Sequence, residues 1–505
     1  MSHPPTTPSM SDLHRLVEHS SGLTSDSRQV TPGALFCALP GSHSHGLDHH
    51  QQAQAQGASA LLYQAGGAWS AARSAASAAA SPLPWYSVPQ LRQQLGPLAA
   101  RFYRDPSRQL HTIGITGTNG KTSTAWIIAH LSPAAGFIGT LGSGIPPTLT
   151  PTHHTTPEPI ELQRLLAELV AQGATTAALE VSSHGLDQQR VAGITFRSAI
   201  LTNITRDHLD YHPTLEHYIA TKAQLFAHPD LEHGIYNLDD PTARRLYHQA
   251  PTGVQRIGYS LHPPGAATHP HLPDLWAEQL QPRPGGCRLT LAGAWGRHTL
   301  EVPLLGHFAL SNLLAALTAL LLRGDRWETL QPRLATLPPI PGRMQLVESS
   351  SCHPATRDQP QIVVDYAHTP DALQQVLQAL RQHTSGRLLC LFGCGGNRDS
   401  GKRPLMGAIA EQYADQVILT DDNPRHEEPA TIIEQIRAGM ERPDAVEIQH
   451  DRRQAIAHAI AHASAGDLLL VAGKGHEQTQ QIGDVFYPFS DLAVIRQLLA
   501  PRSAP

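Results

Sequence analysis

Cysteine, charge and long apolar runs are all sparse in this 505-residue chain, and each shortage excludes something. Five cysteines, an odd number scattered as Cys37, Cys287, Cys352, Cys390 and Cys394, rule out a disulfide-stapled framework and point to a reducing, cytoplasmic setting. The one close pair, Cys390 and Cys394 in CLFGC, has no second metal-type pair, so no zinc site is expected there. Charged residues make up 16% and leave a net charge of −5 with no basic cluster, which excludes the electrostatic footprint of a nucleic-acid binder or of anionic-membrane attachment. The nearest approach to a membrane span, Phe308 to Leu322, is short and interrupted by Ser311, Asn312 and Thr318. The opening MSHPPTTPSM lacks the basic-then-apolar pattern of a signal peptide.

What remains is a globular chain long enough for about two to four domains, each with its own core. In the first hundred residues a turn at Pro32-Gly33 separates two short apolar runs, and an Ala-rich stretch around Ala71 to Ala80 reads as helix plus loop; a small α/β cap is expected over 1–105. From 106 to about 338 apolar runs (HTIGIT, Thr176 to Val181, Ser198 to Leu201) alternate with helical patterns such as Ile160 to Ala171, the rhythm of a parallel sheet. The turn-rich Pro338-Pro339-Ile340-Pro341-Gly342 opens a third unit, 339–505. There IVVDY, LLCLF, QVILT and DLLLVAG alternate with helices such as Asp371 to Arg381, as in a Rossmann-like doubly wound sheet.

The strongest chemical signal is GITGTNGKTS at 114–123, a strand, a Gly-rich turn and a helix start. Such a loop aims backbone N–H groups and a helix N-terminus at phosphates; Lys121 adds a cation and the Thr122 hydroxyl a ligand for Mg²⁺. Ile115 stands where the usual phosphate-loop pattern has its first glycine, and Gly117 takes over nearer the turn. Glu180 ends an apolar run, the placement from which a second strand presents a carboxylate to a metal. A further strand runs into LTNITRDHLDYH at 201–212 with His208, followed by Lys222. His208 and His212 share the spacing of a zinc-protease helix, but Leu209 stands where that chemistry needs Glu.

In the third unit GCGGNRDSGKRP at 393–404, DNPR at 422–425 and GKGHE at 473–477 each follow a strand, at the sheet edge where α/β proteins bind ligands. Arg398 and Arg425 suit carboxylates and Glu477 an ammonium group, which together describe a pocket for a zwitterionic small molecule with more than one charge.

These motifs, with DSR at 26–28, TTP at 155–157, EVSSHGLDQQR at 180–190, PGR at 341–343 and DYAHTPDAL at 365–373, resemble the Mur ligase family over nearly the whole chain. The resemblance implies an ATP-dependent acid–amino-acid ligase, producing ADP and phosphate, that extends UDP-N-acetylmuramoyl-L-alanyl-D-glutamate in cytoplasmic peptidoglycan precursor synthesis. Members with DNPR take meso-diaminopimelate, so Asp422, Asn423, Pro424 and Arg425 imply that acceptor, with Arg398, Gly473 and Glu477 completing its pocket. It also implies ATP contacts from Gly117, Thr118, Asn119, Gly120, Lys121, Thr122, Ser123, Asn312, Arg343 and Asp365. UDP-substrate contacts would come from Ser27, Thr155, Thr156, Ser182, Gln188 and Arg190. Thr122, Glu180, His208 and Lys222 match Mg²⁺-binding positions, Lys222 as an N6-carboxylysine formed with CO₂, and Lys121, Glu180, His208 and Lys222 would form the catalytic set. A monomer is expected, without nucleic acid or membrane insertion. His45, His154, Ala309 and Asn397 depart from the family pattern, and none of the four removes a group that the chemistry needs. The alternatives are another acceptor, L-lysine or D-Ala-D-Ala, on the same scaffold, or a non-catalytic nucleotide-binding switch.

Overall fold

The computed structural model describes residues 6–41, 44–208, 211–265, 273–283, 286–347 and 360–500. Cys352 and the Leu209-Asp210 step of the 201–212 motif lie outside them.

Three main sheets follow one another along the chain. The first has four parallel strands, Leu23–Thr24, Leu35–Ala38, Ala60–Tyr63 and Trp85–Ser87, paired in chain order. Their apolar residues are fully buried (Phe36, Cys37, Leu61 and Leu62 at 0% exposure), and the Ala-rich stretch forms the expected helix, Ala71–Ala79.

The second sheet has ten strands. At its centre His111–Thr116 lies between Thr176–Glu180 and Ser198–Leu201, all parallel, in a register that sets Ile115 beside Glu180 and Thr116 beside Leu201. The neighbouring strands leave this central one in both directions, so the chain's strand order reverses here, and the crevice above the strand ends is where an α/β sheet takes its ligand. Ile113 and Ile115 pack on one face against the helices Lys121–Leu131 and His307–Arg323; Leu179, Phe196 and Leu201 belong to the cluster on the other. Both helices are buried almost all round, because each is pressed between the sheet and further structure.

The expectation of a parallel central sheet holds only for its middle. Leu275–Arg283, Gly286–Gly293 and His298–Val302 form an antiparallel extension, and Gly142–Gly144 adds an antiparallel strand at the other edge. Short connections between successive strands permit only antiparallel pairing, since a parallel return needs a long crossover. A second helix, Trp327–Ala335, follows the one at 307–323 before the turn-rich segment.

The third sheet contains the four strands read from the sequence, as Gln361–Asp365, Leu388–Phe392, Gln416–Leu419 and Leu468–Ala472, with two short additions, Gln345–Leu346 and Glu447–Ile448. All are parallel except Gln345–Leu346, and Leu468–Ala472 sits between Gln361–Asp365 and Leu388–Phe392. Asp365, Gly393, Asp422 and Gly473 therefore stand at one carboxyl edge.

The first unit is held to the second by backbone contact. A Cβ on Gly96, in the helix Leu91–Phe102, would come within 1.8 Å of the Ala192 carbonyl oxygen. Gly96→Ala should therefore force the two apart, costing about 1–3 kcal/mol as expected of an overpacked contact. A thermal or urea unfolding profile unchanged from the wild type would contradict this.

Candidate functional site

The strand His111–Thr116 delivers the Gly-rich loop to the start of the helix Lys121–Leu131. Gly117 (φ +144°) and Gly120 (φ +87°) are needed there: a Cβ would fall 2.0 Å from Thr202 Oγ1 at the first and 2.3 Å from Asn312 Oδ1 at the second. The loop is tied down by Asn119 N–H donating to Asn203 Oδ1 at 3.0 Å and Thr202 Oγ1 donating to Asn119 O at 2.6 Å. Lys121 Nζ folds back and donates to the carbonyls of Gly117 (2.9 Å) and Thr118 (2.8 Å). Burial lowers its pKa, against the pull of Glu180 and Asp207.

Glu180, wholly buried at its strand end, accepts from Thr122 Oγ1 at 2.9 Å, the Thr140 N–H at 2.9 Å and Thr140 Oγ1 at 3.2 Å. Burial raises its pKa; these bonds and Lys121 act the other way. Thr140 Oγ1 also meets Thr155 Oγ1 at 3.0 Å. Thr156 Oγ1 donates to the Glu180 carbonyl at 2.9 Å, and Ser182 Oγ caps the helix Ser183–Asp187 by accepting from Gly185 N–H.

Lys222 is 1% exposed on the helix Leu215–Ala223. Its Nζ donates to Gly117 O at 2.9 Å and lies 4.6 Å from the centre of the Tyr218 ring. Among the described residues no carboxylate reaches it, and burial, followed by the nearby Lys121, drives its pKa well below the usual lysine range. His208 adopts a left-handed backbone (φ +55°), with Nε2 3.5 Å from Asp207 Oδ2 and its ring set edge-on to that of His184.

These groups line one cavity of about 700 Å³ between the second and third units. Its walls include the loop from Thr118 to Ser123, with Thr155, Glu180, Ser182, His208, Lys222, Asn312, Arg343 and Asp365. Arg343 packs 4.2 Å over the Tyr366 ring. Asp365 accepts from Met344 N–H at 2.6 Å and Ala367 N–H at 2.7 Å, and burial raises its pKa. A smaller cavity of about 280 Å³, against the helix Pro159–Ala171, contains none of these groups.

The other expected residues fall outside this cavity. Arg190 reaches the Thr156 carbonyl (2.9 Å), Gln188 Oε1 (2.7 Å) and Glu158 (3.1 Å) just beyond its rim. Ser27, in the first unit, donates to Gln52 Oε1 at 2.8 Å and does not line it. The third-unit motifs form a second cluster. Arg425 donates to Gly396 O at 2.7 Å and Gln481 Oε1 at 3.2 Å, both neutral, and among the described residues no carboxylate pairs with it or with Arg398. Burial and Arg398 lower its pKa. Asn423 Nδ2 donates to Glu477 Oε2 at 2.9 Å, and the buried Asp422 sits where a Cβ on Gly473 would be 2.6 Å from its Oδ2. The two clusters meet through Tyr366, whose ring is 5.3 Å from that of His476.

Of the departures, His45 serves as a cap, its Nδ1 accepting from Leu47 N–H at 3.0 Å, and Asn397 Oδ1 accepts from His426 N–H at 3.1 Å. Ala309 is packed in the core and His154 is exposed. The residue-by-residue reading missed Thr140, Asn203, Asp207, Tyr366, His368 and Lys474. Asn203, Asp207, Tyr366, His368 and Lys474 lie inside quoted motifs and were within reach; Thr140 carries no local signal. His368 is neutral, pushed down to about 4 by burial and Lys402. Among the described residues no group of three or more His, Cys, Asp or Glu is arranged to hold a metal, and no helix is long and apolar enough to cross a membrane.

Comparison with known proteins agrees with this geometry. Residues 115–320 match the Mur ligase middle domain, 342–475 the Mur ligase glutamate ligase domain and 19–103 the Mur ligase family catalytic domain. The chain is 46% identical to the UDP-N-acetylmuramoyl-L-alanyl-D-glutamate–2,6-diaminopimelate ligase of Alkalilimnicola ehrlichii over 486 residues, 95% of this chain and 94% of that one. It is 48% identical to the protein of the same name from Ectopseudomonas mendocina, covering 95% of each. A solved structure of a ligase with that name superposes with a TM-score of 0.65 at 37% identity, over 95% of this chain and 94% of the other. The chain belongs to the Mur ligase family, ATP-dependent ligases with a three-domain α/β fold.

The Lys222 environment has a consequence for stability. Its folded pKa is lowered, so between that value and about 10.4 the unfolded chain binds one proton more and stability rises with pH, by at most about 1.4 kcal/mol per unit. Without CO₂, Lys222→Met should remove that contribution, leaving a shallower rise of melting temperature from pH 7 to 9. Parallel profiles for the two proteins would sink the assignment.

Proposed function

We propose that this ligase adds meso-diaminopimelate to the D-glutamate of UDP-N-acetylmuramoyl-L-alanyl-D-glutamate, in the cytoplasm and as a monomer. The observation that carries the acceptor is the half-buried Arg425, whose partners are all neutral, beside Arg398. Two adjacent cations that no carboxylate among the described residues pairs with are costly, and the far carboxylate of diaminopimelate, which lysine lacks, answers them. Glu477 and Asn423, with Asp422, Pro424 and Gly473 around them, take the amino-acid end.

In this reading the loop from Gly117 to Ser123 and Lys121 hold the ATP phosphates, while Asn312, Arg343 and Asp365 close on the nucleotide. Ser27 reaches the uridine-bearing substrate from the first unit; Thr155, Thr156, Ser182, Gln188 and Arg190 hold the rest of it. The accompanying domain limits are 1–105, 106–338 and 339–505.

The γ-phosphoryl group passes to the side-chain carboxylate of D-glutamate, giving an acyl phosphate and ADP. The diaminopimelate amine then attacks the acyl carbon, loses a proton and expels phosphate through a tetrahedral intermediate. Lys121 stays beside the phosphates through the transfer and offsets their charge. The hydroxyl of Thr122, the carboxylate of Glu180 and the ring of His208 are a donor set that suits a hard cation. Lys222 would join it once its neutral amine had added to CO₂, releasing one proton and turning the buried amine into a carbamate anion. What supports that modification is the lowered pKa of Lys222, which burial and Lys121 depress against the weaker pull of Asp207, and the absence of a carboxylate in ion-pair contact with it among the described residues. Mg²⁺ bound by these groups supplies charge neutralisation at the transferring phosphate.

The test is phosphate release from ATP with the UDP-muramoyl dipeptide and each of meso-diaminopimelate, L-lysine and D-Ala-D-Ala, with product mass read in parallel. Release only with diaminopimelate, and a product heavier by one such residue, is expected. Release only with another acceptor would overturn the specificity, and no release with any would favour a nucleotide-binding switch. Arg425→Ala should raise the diaminopimelate KM about 100-fold or more and collapse its preference over lysine; an unchanged preference would place recognition elsewhere.

A further inference from the structure

Lys474 is fully buried, at 0% exposure, in the loop that leaves the strand Leu468–Ala472. Its ammonium donates to Glu477 Oε2 at 2.8 Å and Asn423 Oδ1 at 3.0 Å, with Asp422 Oδ1 at 3.8 Å. No step of the reaction proposed above uses it, and burying a charged side chain this deeply is expensive unless its surroundings answer it.

An ammonium group can only donate, so Asn423 must turn its oxygen toward Lys474. The backbone N–H of Gln481, which donates to the same Oδ1 at 2.9 Å, enforces the same orientation. Asn423 Nδ2 is thereby aimed at Glu477 Oε2, 2.9 Å away. Glu477 Oε2 then accepts from two donors, while its Oε1 has no hydrogen-bond partner among the described residues. One carboxylate oxygen is anchored and the other is left to meet an incoming ammonium.

We infer that Lys474 is a positioning residue for acceptor recognition: it fixes the Asn423 amide and one oxygen of Glu477, so that a single oriented carboxylate oxygen faces the α-ammonium of the amino acid. The inference rests on the reading of Asn423 and Glu477 as the acceptor's amino-acid end. Without Lys474 the amide is free to turn over, and the partly exposed Glu477 side chain loses its inner anchor.

The test compares wild type, Lys474→Met, Glu477→Gln and the double variant in the full-length protein, measuring KM for the acceptor, for ATP and for the UDP-substrate. Lys474→Met should raise the acceptor KM about 10- to 100-fold, the range expected when a buried partner is removed. The other two KM values, and kcat at saturating acceptor, should stay within about threefold. Because Lys474 acts through Glu477, adding its substitution to Glu477→Gln should raise the acceptor KM by less than about threefold. Equal rises for all three substrates, or multiplying effects in the double variant, would mean a structural role and overturn the inference. Should Lys474→Met lose its native circular-dichroism spectrum, Lys474→Arg decides by the same criterion: the longer group cannot keep both contacts in a closed site, and the acceptor KM alone should rise. Wild type that uses a different amino acid would refute the choice of acceptor, and the same comparison with that amino acid would still decide the role of Lys474.

Discussion

Two lysine side chains converge on one carbonyl oxygen. Lys121 and Lys222 both donate to Gly117 O at 2.9 Å, from different helices and across a sequence separation of about a hundred residues. Two like charges this close repel, and Glu180 and Asp207 offset that only in part, so one amine giving up its proton or a further anion arriving relieves the site. The low pKa of Lys222 is the first solution; phosphate at the loop and a carboxylated lysine are the second. The rest of the centre follows from this: Gly117 must lack a side chain to let the neighbouring Thr202 approach, and Glu180 must be buried to balance what remains.

The third unit applies the same electrostatic logic with the opposite outcome for its cations. At Arg425 and Arg398 no carboxylate among the described residues pairs with the positive charge, whereas at Lys474 it is answered directly by Glu477, Asn423 and Asp422. The first arrangement waits for an anionic ligand group and the second shapes the group that receives a cation. A molecule with a carboxylate at one end and an amino acid at the other fits both at once.

Much of this was legible in the sequence because phosphate loops and strand-end ligands depend on short contiguous motifs. GTNGKTS, DNPR and GKGHE stand at the carboxyl edges that their place after apolar runs implied, and Glu180 ends its strand beside the loop. What was not legible depended on contacts between distant segments. Thr140, which holds Glu180 through two hydrogen bonds, is an ordinary threonine after a short strand. The antiparallel extension over 275–302 was hidden because the parallel rhythm of the preceding strands was carried past the point where the connections shorten.

The order of strands in the third sheet bears on how the protein can be made. Leu468–Ala472 is synthesised after every other strand of its sheet, yet it occupies the middle, between strands completed about a hundred and about eighty residues earlier. A growing chain can bury the first two sheets while still attached to the ribosome, but Gln361–Asp365 and Leu388–Phe392 have no shared neighbour until residue 472 has emerged. For the duration of that synthesis the edges of both strands that face Leu468–Ala472 stay unpaired, the kind of exposed edge that favours misassembly.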